Sequence, residues 1–417
     1  MPLDFTSKVR ETHAPGVRLI ALPTAAPGVV SVHASHPVVL ADPSDELIQD
    51  VLAGVLDKGT DQMDRHAVAH ALESRGAQLG FSSDSRRMGF RGKMLADDAA
   101  FVLGIAADLL ARPALDLDEV RKAAERKAAS YARASTDTGA QADAALSRLL
   151  YSPDDPRHTP DFVQSAERAL TVDATQVRAH YAQARTWGPL TIVLAGDVEA
   201  LDLDAIALRF GGRANVAAPY LPPPSDTQAQ IVHQFIADKT NADVEMGHAT
   251  VVDLQHDAYL ALRVALFALG GNFSARLMQE VRDKLGLTYG IGASLSDADQ
   301  GVGGAVSIRV TLSEENIQRG INATRDVVDE WAREGLTMAE LEQKKTTLIG
   351  TYTVGLATTG GLAAQVHRLA TTGFDLDRLD TYPDEVDALT LDQVNGSIAA
   401  HVRPGALSTA IAGPVEG

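Results

Sequence analysis

The sequence predicts an α+β fold built twice in tandem, and three observations carry that prediction. The chain has 417 residues, whereas a single hydrophobic core seldom organises more than roughly 250–300. A set of landmarks recurs at one spacing. Strand-like and helix-like patterns come in blocks, which suits helices packed on one face of a mainly antiparallel sheet in each half. Apolar residues make up 45% and charged residues 22% of the chain, the composition of a folded globular protein with material for sizeable cores.

The repeat is legible in three places. Leu115-Asp116-Leu117-Asp118-Glu119 parallels Leu336-Thr337-Met338-Ala339-Glu340, 221 residues on. Ala169-Leu170-Thr171-Val172-Asp173 returns as Ala388-Leu389-Thr390-Leu391-Asp392, 219 residues on. The β-branched run Thr191-Ile192-Val193-Leu194-Ala195-Gly196 matches Thr409-Ala410-Ile411-Ala412-Gly413-Pro414, with the glycines 217 apart. One order at nearly one offset marks two copies of about 210 residues. Between them, Pro219 and Pro222-Pro223-Pro224 can continue neither a helix nor a central strand and favour extended geometry. The expected organisation is therefore domain 1–218, a linker at 219–227 and domain 228–417.

Within the halves, Val29 to Val32, Met88 to Lys93 and Ala305 to Leu312 read as strands, the last by clear alternation. Ala99 to Ala111, Leu117 to Ala134, Glu315 to Glu334 and Ala339 to Tyr352 read as helices.

Lys and Arg number 37 against 55 Asp and Glu, a net charge of −18 that repels phosphate backbones and anionic membranes, so neither nucleic acid nor a membrane is an expected partner. The absence of cysteine excludes disulfides, thiolate metal sites and cysteine nucleophiles. No run approaches the roughly 18 apolar residues of a membrane span, and the first eight residues lack a secretory pattern. As written the chain reads as cytoplasmic; a signal peptide removed beforehand would make it periplasmic.

The densest chemical signal runs from Leu269 to Ser296. Gly270 and Gly271 open a turn, Ser274 is placed to cap a helix, and Leu277, Val281 and Leu285 form its apolar stripe until Gly286 stops it. Arg282 falls on the other face of that helix, and Tyr289 lies beyond the stop, where strand character begins. This segment resembles the R/Y motif in the C-terminal half of the pitrilysin/insulinase-type zinc peptidases, the inverzincin group that includes the mitochondrial processing peptidases. The resemblance covers the whole chain in outline, because those proteins also repeat an α+β domain twice. It implies that Arg282 and Tyr289 grip the scissile peptide and donate hydrogen bonds to its carbonyl oxygens and to the developing oxyanion. Neither side chain changes protonation near neutral pH, which suits that work. The alternative is a solvated Arg282 and a Tyr289 packed in a core.

Such peptidases bind zinc through H-x-x-E-H in the N-terminal half, with a more distant glutamate completing the ligands. No H-x-x-E-H occurs here. Taking Lys58-Gly59-Thr60 as the sequence that follows the motif in relatives, the motif positions fall on Asp50, Ala53 and Gly54. Alanine and glycine bring no side-chain ligand and no base. The distal position falls near Tyr131, and residues 126–135 contain no Asp or Glu, although Glu119 and Glu125 are close by. Zinc is therefore not expected on this chain, nor peptide hydrolysis by this chain alone.

A local rival is His66, His70 and Glu73, spaced to share a helix face and hold a metal. Twelve histidines in 417 residues give roughly 0.35 such His pairs by chance, so a solvated face is the plainer reading. The glycine clusters at 290–292, 301–304 and 360–361 form neither GxxxxGK[ST] nor a strand-GxGxxG-helix, and no GxSxG occurs.

The resemblance implies a zinc-free, R/Y-bearing subunit that completes its active site with an H-x-x-E-H partner, the partner holding zinc and the general base. Peptides are the implied substrates. The alternatives are a catalytically silent scaffold or regulatory subunit and, less strongly supported, an independent metal enzyme using His66, His70 and Glu73.

Overall fold

The apolar alternation seen in the sequence produces two main sheets, beside a short parallel pair of Trp187–Gly188 with Ala214–Asn215. In the first are β1 (Arg10–Ala14), β2 (Val17–Pro23), β3 (Val29–Pro37), β4 (Gln78–Ser83), β5 (Arg87–Leu95) and β6 (Leu190–Gly196). They lie in the order β1-β2-β6-β3-β5-β4, antiparallel throughout except where β2 runs parallel to β6. The second contains β7 (Ile231–Phe235), β8 (Asn241–Thr250), β9 (Thr288–Ser296), β10 (Gly304–Ser313) and β11 (Ser408–Gly413). Their order is β9-β10-β8-β11-β7, again antiparallel except for one pair, β7 with β11. Leaving out the edge strand β1, the two sheets have one topology, with the closing strand of each half inserted next to its first. Both closing strands, β6 and β11, are buried along their whole length, which is why they read as continuous runs of small and β-branched residues.

The structure is a computed structural model that describes residues 3–40, 42–216 and 228–414. The proline-rich linker at 219–227 lies outside the described residues. The helices used below are α1 (Glu46–Ala53), α2 (Arg65–Glu73), α3 (Ala99–Ala111), α4 (Leu117–Ala134), α5 (Thr138–Leu150), α6 (Tyr259–Gly270), α7 (Ile317–Glu334), α8 (Met338–Gly355) and α9 (Thr359–Thr371). Helices α3 and α4 coincide with their predicted spans; α7 starts at Ile317 because Glu314–Asn316 winds as a 3₁₀ turn first.

The compact units cross the expected sequence boundary. One gathers the chain up to Ser130, residues 165–216 and Thr351–Pro383; the other gathers Tyr131–Gln164, residues 228–350 and the chain from Asp384. Each sheet therefore takes a covering helix from the other half of the sequence. In the first unit, Leu362, Val366 and Leu369 of α9 pack with Ile20 and Leu22 of β2 and Val193 and Ala195 of β6, all buried. In the second, Ala145, Leu146 and Leu150 of α5 pack with Ala305 of β10 and Ala410 of β11. A fully buried Leu or Val contributes roughly 1.5–3 kcal/mol, so either sheet face would be left strongly unfavourable without its helix.

Residues 1–218 produced alone are thus expected to aggregate or show no cooperative unfolding, and to become soluble and cooperative when produced together with residues 219–417. Circular dichroism and urea titration read the difference; a stable, cooperative 1–218 fragment would contradict the packing described.

Candidate functional site

Asp50 sits in the last turn of α1, Ala53 ends that helix, and the Gly54 amide donates back to the Asp50 carbonyl at 3.0 Å. The Asp50 carboxylate is already engaged. It accepts a hydrogen bond from Ser83 Oγ of β4 at 3.0 Å and forms a very short ion pair with Lys127 Nζ of α4. Lys127 follows Val120, Ala123 and Ala124 on the buried stripe of α4, so its ammonium is directed at α1 by the same periodicity that buries its neighbours. It falls in the stretch where a distal acidic ligand was sought. Of the two nearby glutamates, Glu119 is taken by Arg65 at 2.8 Å and Lys122 at 3.0 Å, and Glu125 by Arg121 at 2.9 Å.

These residues do not fit zinc. Ala53 and Gly54 offer no side-chain ligand, and the one remaining carboxylate holds a fixed cation that would repel a divalent ion. Glu46, one turn before Asp50, is part of the same cluster. Burial pushes its carboxyl up to about 7, the negative charge of Asp50 adds to the shift, and Lys127 opposes it. Among the described residues no group of three His, Asp or Glu side chains is gathered to hold a metal ion. That corrects the rival metal site: His66, His70 and Glu73 stand exposed on α2, whose buried residues are Val68 and Leu72. The shared helical face is the solvated one.

The segment carrying Arg282 and Tyr289 is braced from beneath. A Cβ on Gly270 would lie 2.2 Å from the Ala293 amide nitrogen, so this glycine lets the end of α6 press against β9. Lys344 of α8 is 1% exposed, and its ammonium donates to Asn272 Oδ1 at 3.0 Å, the Ser274 carbonyl at 3.0 Å and Ser274 Oγ at 2.8 Å. Ser274 therefore serves as a ligand of a buried lysine rather than as the expected helix cap. Arg276 adds a two-pronged bond to Glu340 at 2.6 and 2.8 Å.

Next, Met278–Lys284 winds as a π-helix, with the Leu285 amide reaching the Glu280 carbonyl at 3.1 Å. The expected stripe is kept only in part. Leu277 and Val281 are fully buried, while Leu285 is 45% exposed because the wider winding rotates it off the α-helical face. Gly286, at φ +64°, makes the predicted stop. Arg282 is half-buried, 5.4 Å above the Phe273 ring, and has no acidic partner at ion-pair distance among the described residues. Tyr289 is the extra residue of a β-bulge: Thr288 pairs with Leu312 and Gly290 with Thr311, leaving Tyr289 unpaired and 95% exposed. It is not a core residue. Nothing in the residue pattern announces the π-winding or the bulge; Lys344, by contrast, is detectable as a charge at an apolar helix position.

Comparison with known proteins agrees with this architecture. Residues 171–348 match the family described as peptidase M16 inactive domain. An uncharacterized zinc protease of Mycobacterium bovis is 23% identical over 369 residues, covering 87% of this chain and 83% of its own length. A protein of Helicobacter pylori named non-peptidase homolog YmxG is 21% identical over 385 residues, covering 89% and 85%. A crystal structure of a peptidase M16 inactive domain from Pseudomonas fluorescens superposes with a TM-score of 0.86 at 21% identity, covering 98% of this chain and 99% of that one. Residues 171–348 are thus similar to the M16 inactive domain, and the chain as a whole shares the fold of that structure.

Glu46 supplies a pH test of the Asp50 cluster. Its folded-state pKa is raised from 4.5 to about 7, so the stability it allows is complete below pH ~4.5 and is lost as pH rises through 7. Glu46→Gln is expected to unfold like the wild type near pH 4 and to be more stable by about 1–3 kcal/mol at pH 8. Urea unfolding across that range measures it, and an equal gain at both pH values would show that Glu46 is not held protonated.

Proposed function

We propose that this chain is the zinc-free, substrate-gripping subunit of a two-chain peptidase, working with an H-x-x-E-H homologue that holds the zinc and the general base. The observation that carries this reading is the state of Tyr289 and Arg282. A phenol on a bulge, 95% exposed, and a guanidinium with no acidic partner among the described residues are placed for a ligand rather than for packing. A β-bulge and a π-turn are devices that re-aim side chains, and both recur beside functional sites. The role of this chain is to bind an unfolded or short peptide: Arg282 and Tyr289 donate hydrogen bonds to its carbonyl oxygens and to the oxyanion that forms at the scissile carbon. Neither donor must move a proton, so the chain positions and stabilises while proton transfer belongs to the partner.

A second reading, a silent scaffold or regulatory subunit, is favoured by the name non-peptidase homolog borne by the Helicobacter pylori relative. No helix among the described residues is long and apolar enough to cross a membrane.

Peptide cleavage by the chain mixed with its H-x-x-E-H partner separates the two readings. Arg282→Ala with Tyr289→Phe is expected to lower kcat/KM by about 10²–10³ without loss of the complex, the effect of removing oxyanion donors. Unchanged cleavage by the double variant would leave the scaffold reading.

A further inference from the structure

One face of the first sheet carries a cluster that the proposed peptidase role does not use. The pairing register sets out three rows across β3, β5 and β4: Pro37 opposite Arg87; Ser35, Gly89 and Ser82 in line; and His33, Arg91 and Gly80 in line. Residues directly opposite in an antiparallel ladder share a face, and so do alternate residues along a strand. Two glycines therefore occupy the floor, and two arginines, two serines and a histidine stand around it. Gly89 cannot be replaced, since a Cβ there would lie 1.9 Å from the Ala34 carbonyl oxygen; Gly80 has nothing within 4 Å of its Cβ position. Beside Gly89 lies a cavity of about 240 Å³, which His33, Ser35, Ser82, Arg87, Arg91 and His367 of α9 also line.

The chemistry of the lining is cationic in a chain whose net charge is −18. Among the described residues, neither Arg87 nor Arg91 forms an ion pair. Arg87 Nε donates to Ser35 Oγ at 2.7 Å, and Ser35 Oγ lies 2.9 Å from His367 Nε2. Ser35 thus fixes a guanidinium and an imidazole around one point. Burial lowers Arg87 to about 10, and it pulls down both His33 and His367, with Arg91 and Arg87 adding to the respective histidine shifts. Burial is the main cause of all three shifts, and neighbouring positive charge adds to each. The one carboxylate in the lining, Asp84, is turned to the backbone, where its Oδ1 accepts from the Arg86 and Arg87 amides at 2.8 and 2.7 Å.

We infer that this cavity binds a phosphate-type oxyanion, with Arg87 and Arg91 as its charge partners and Ser82 and the histidines as additional hydrogen-bonding groups. Donors rise from three strands below and from α9 above, a three-dimensional arrangement that suits a tetrahedral anion better than a planar carboxylate. The site is independent of the Arg282 and Tyr289 proposal, because it lies on β3, β4, β5 and α9 and uses none of that segment.

Isothermal titration of the full chain with inorganic phosphate at low ionic strength tests the inference, with O-phosphoserine and acetate as parallel probes. Saturable binding of one phosphate per chain is expected, weakened roughly tenfold or more by Arg91→Gln, an exposed position where folding is not at risk. Asp84→Asn is expected to tighten it by removing the one negative charge. Thermal unfolding of each variant without phosphate checks that the fold is intact. Phosphoserine binding as tightly as phosphate identifies a phosphate ester as an acceptable source, and much weaker binding identifies the free ion; both support the site. Absence of saturable binding, an Arg91→Gln variant that binds like wild type, or acetate binding as tightly as phosphate overturns it.

Discussion

Each sheet of this protein is closed by a helix that the other half of the sequence supplies, and the remaining architecture depends on that constraint. The buried face of β2 and β6 meets Leu362, Val366 and Leu369 of α9, and the face containing Ala305 and Ala410 meets Leu146 and Leu150 of α5. The two halves repeat one strand order, yet neither repeat contains its own complete hydrophobic layer. Tandem duplication and structural independence are separable properties: the repeat sets the topology, and the exchange of helices makes the folding unit as long as the chain.

The site follows from two substitutions of charge. In α1 a carboxylate faces a lysine ammonium from α4, so the positive charge is covalently built in and paired with Asp50. Two charges taken from water are tolerated only when they meet, and here a third group, Glu46, stays protonated to higher pH because burial disfavours its charge and the carboxylate of Asp50 adds to the effect. In α8 another lysine, Lys344, is buried to hold the turn that precedes Arg282. One lysine is paired with Asp50 and the other braces a segment whose exposed side chains include Tyr289.

Much of this was legible in the sequence. The span of α3 and α4, the strand from Ala305 to Leu312 and the stop at Gly286 follow from periodicity and turn chemistry, which are local properties. What was hidden depends on non-local contacts. Leu285 was expected to be buried because an α-helical period was assumed, and the π-winding moves it outward. Ser274 looked like a cap because nothing near it in sequence announces Lys344, 70 residues later. The partition of the chain at 218 followed the repeat, whereas packing assigns residues 131–164 and 351–383 to the opposite units. His66, His70 and Glu73 show the reverse error, a spacing compatible with a metal on a face that points to water.

The central claim, that the residues around Asp50, with Lys127 paired to it, do not hold zinc, is tested most directly by zinc stoichiometry. The chain would be incubated with excess zinc, dialysed, and its metal content measured by mass spectrometry alongside Asp50→Ala. The account predicts far less than one zinc per chain and no difference between the two proteins. One zinc per chain, lost in Asp50→Ala, would contradict it.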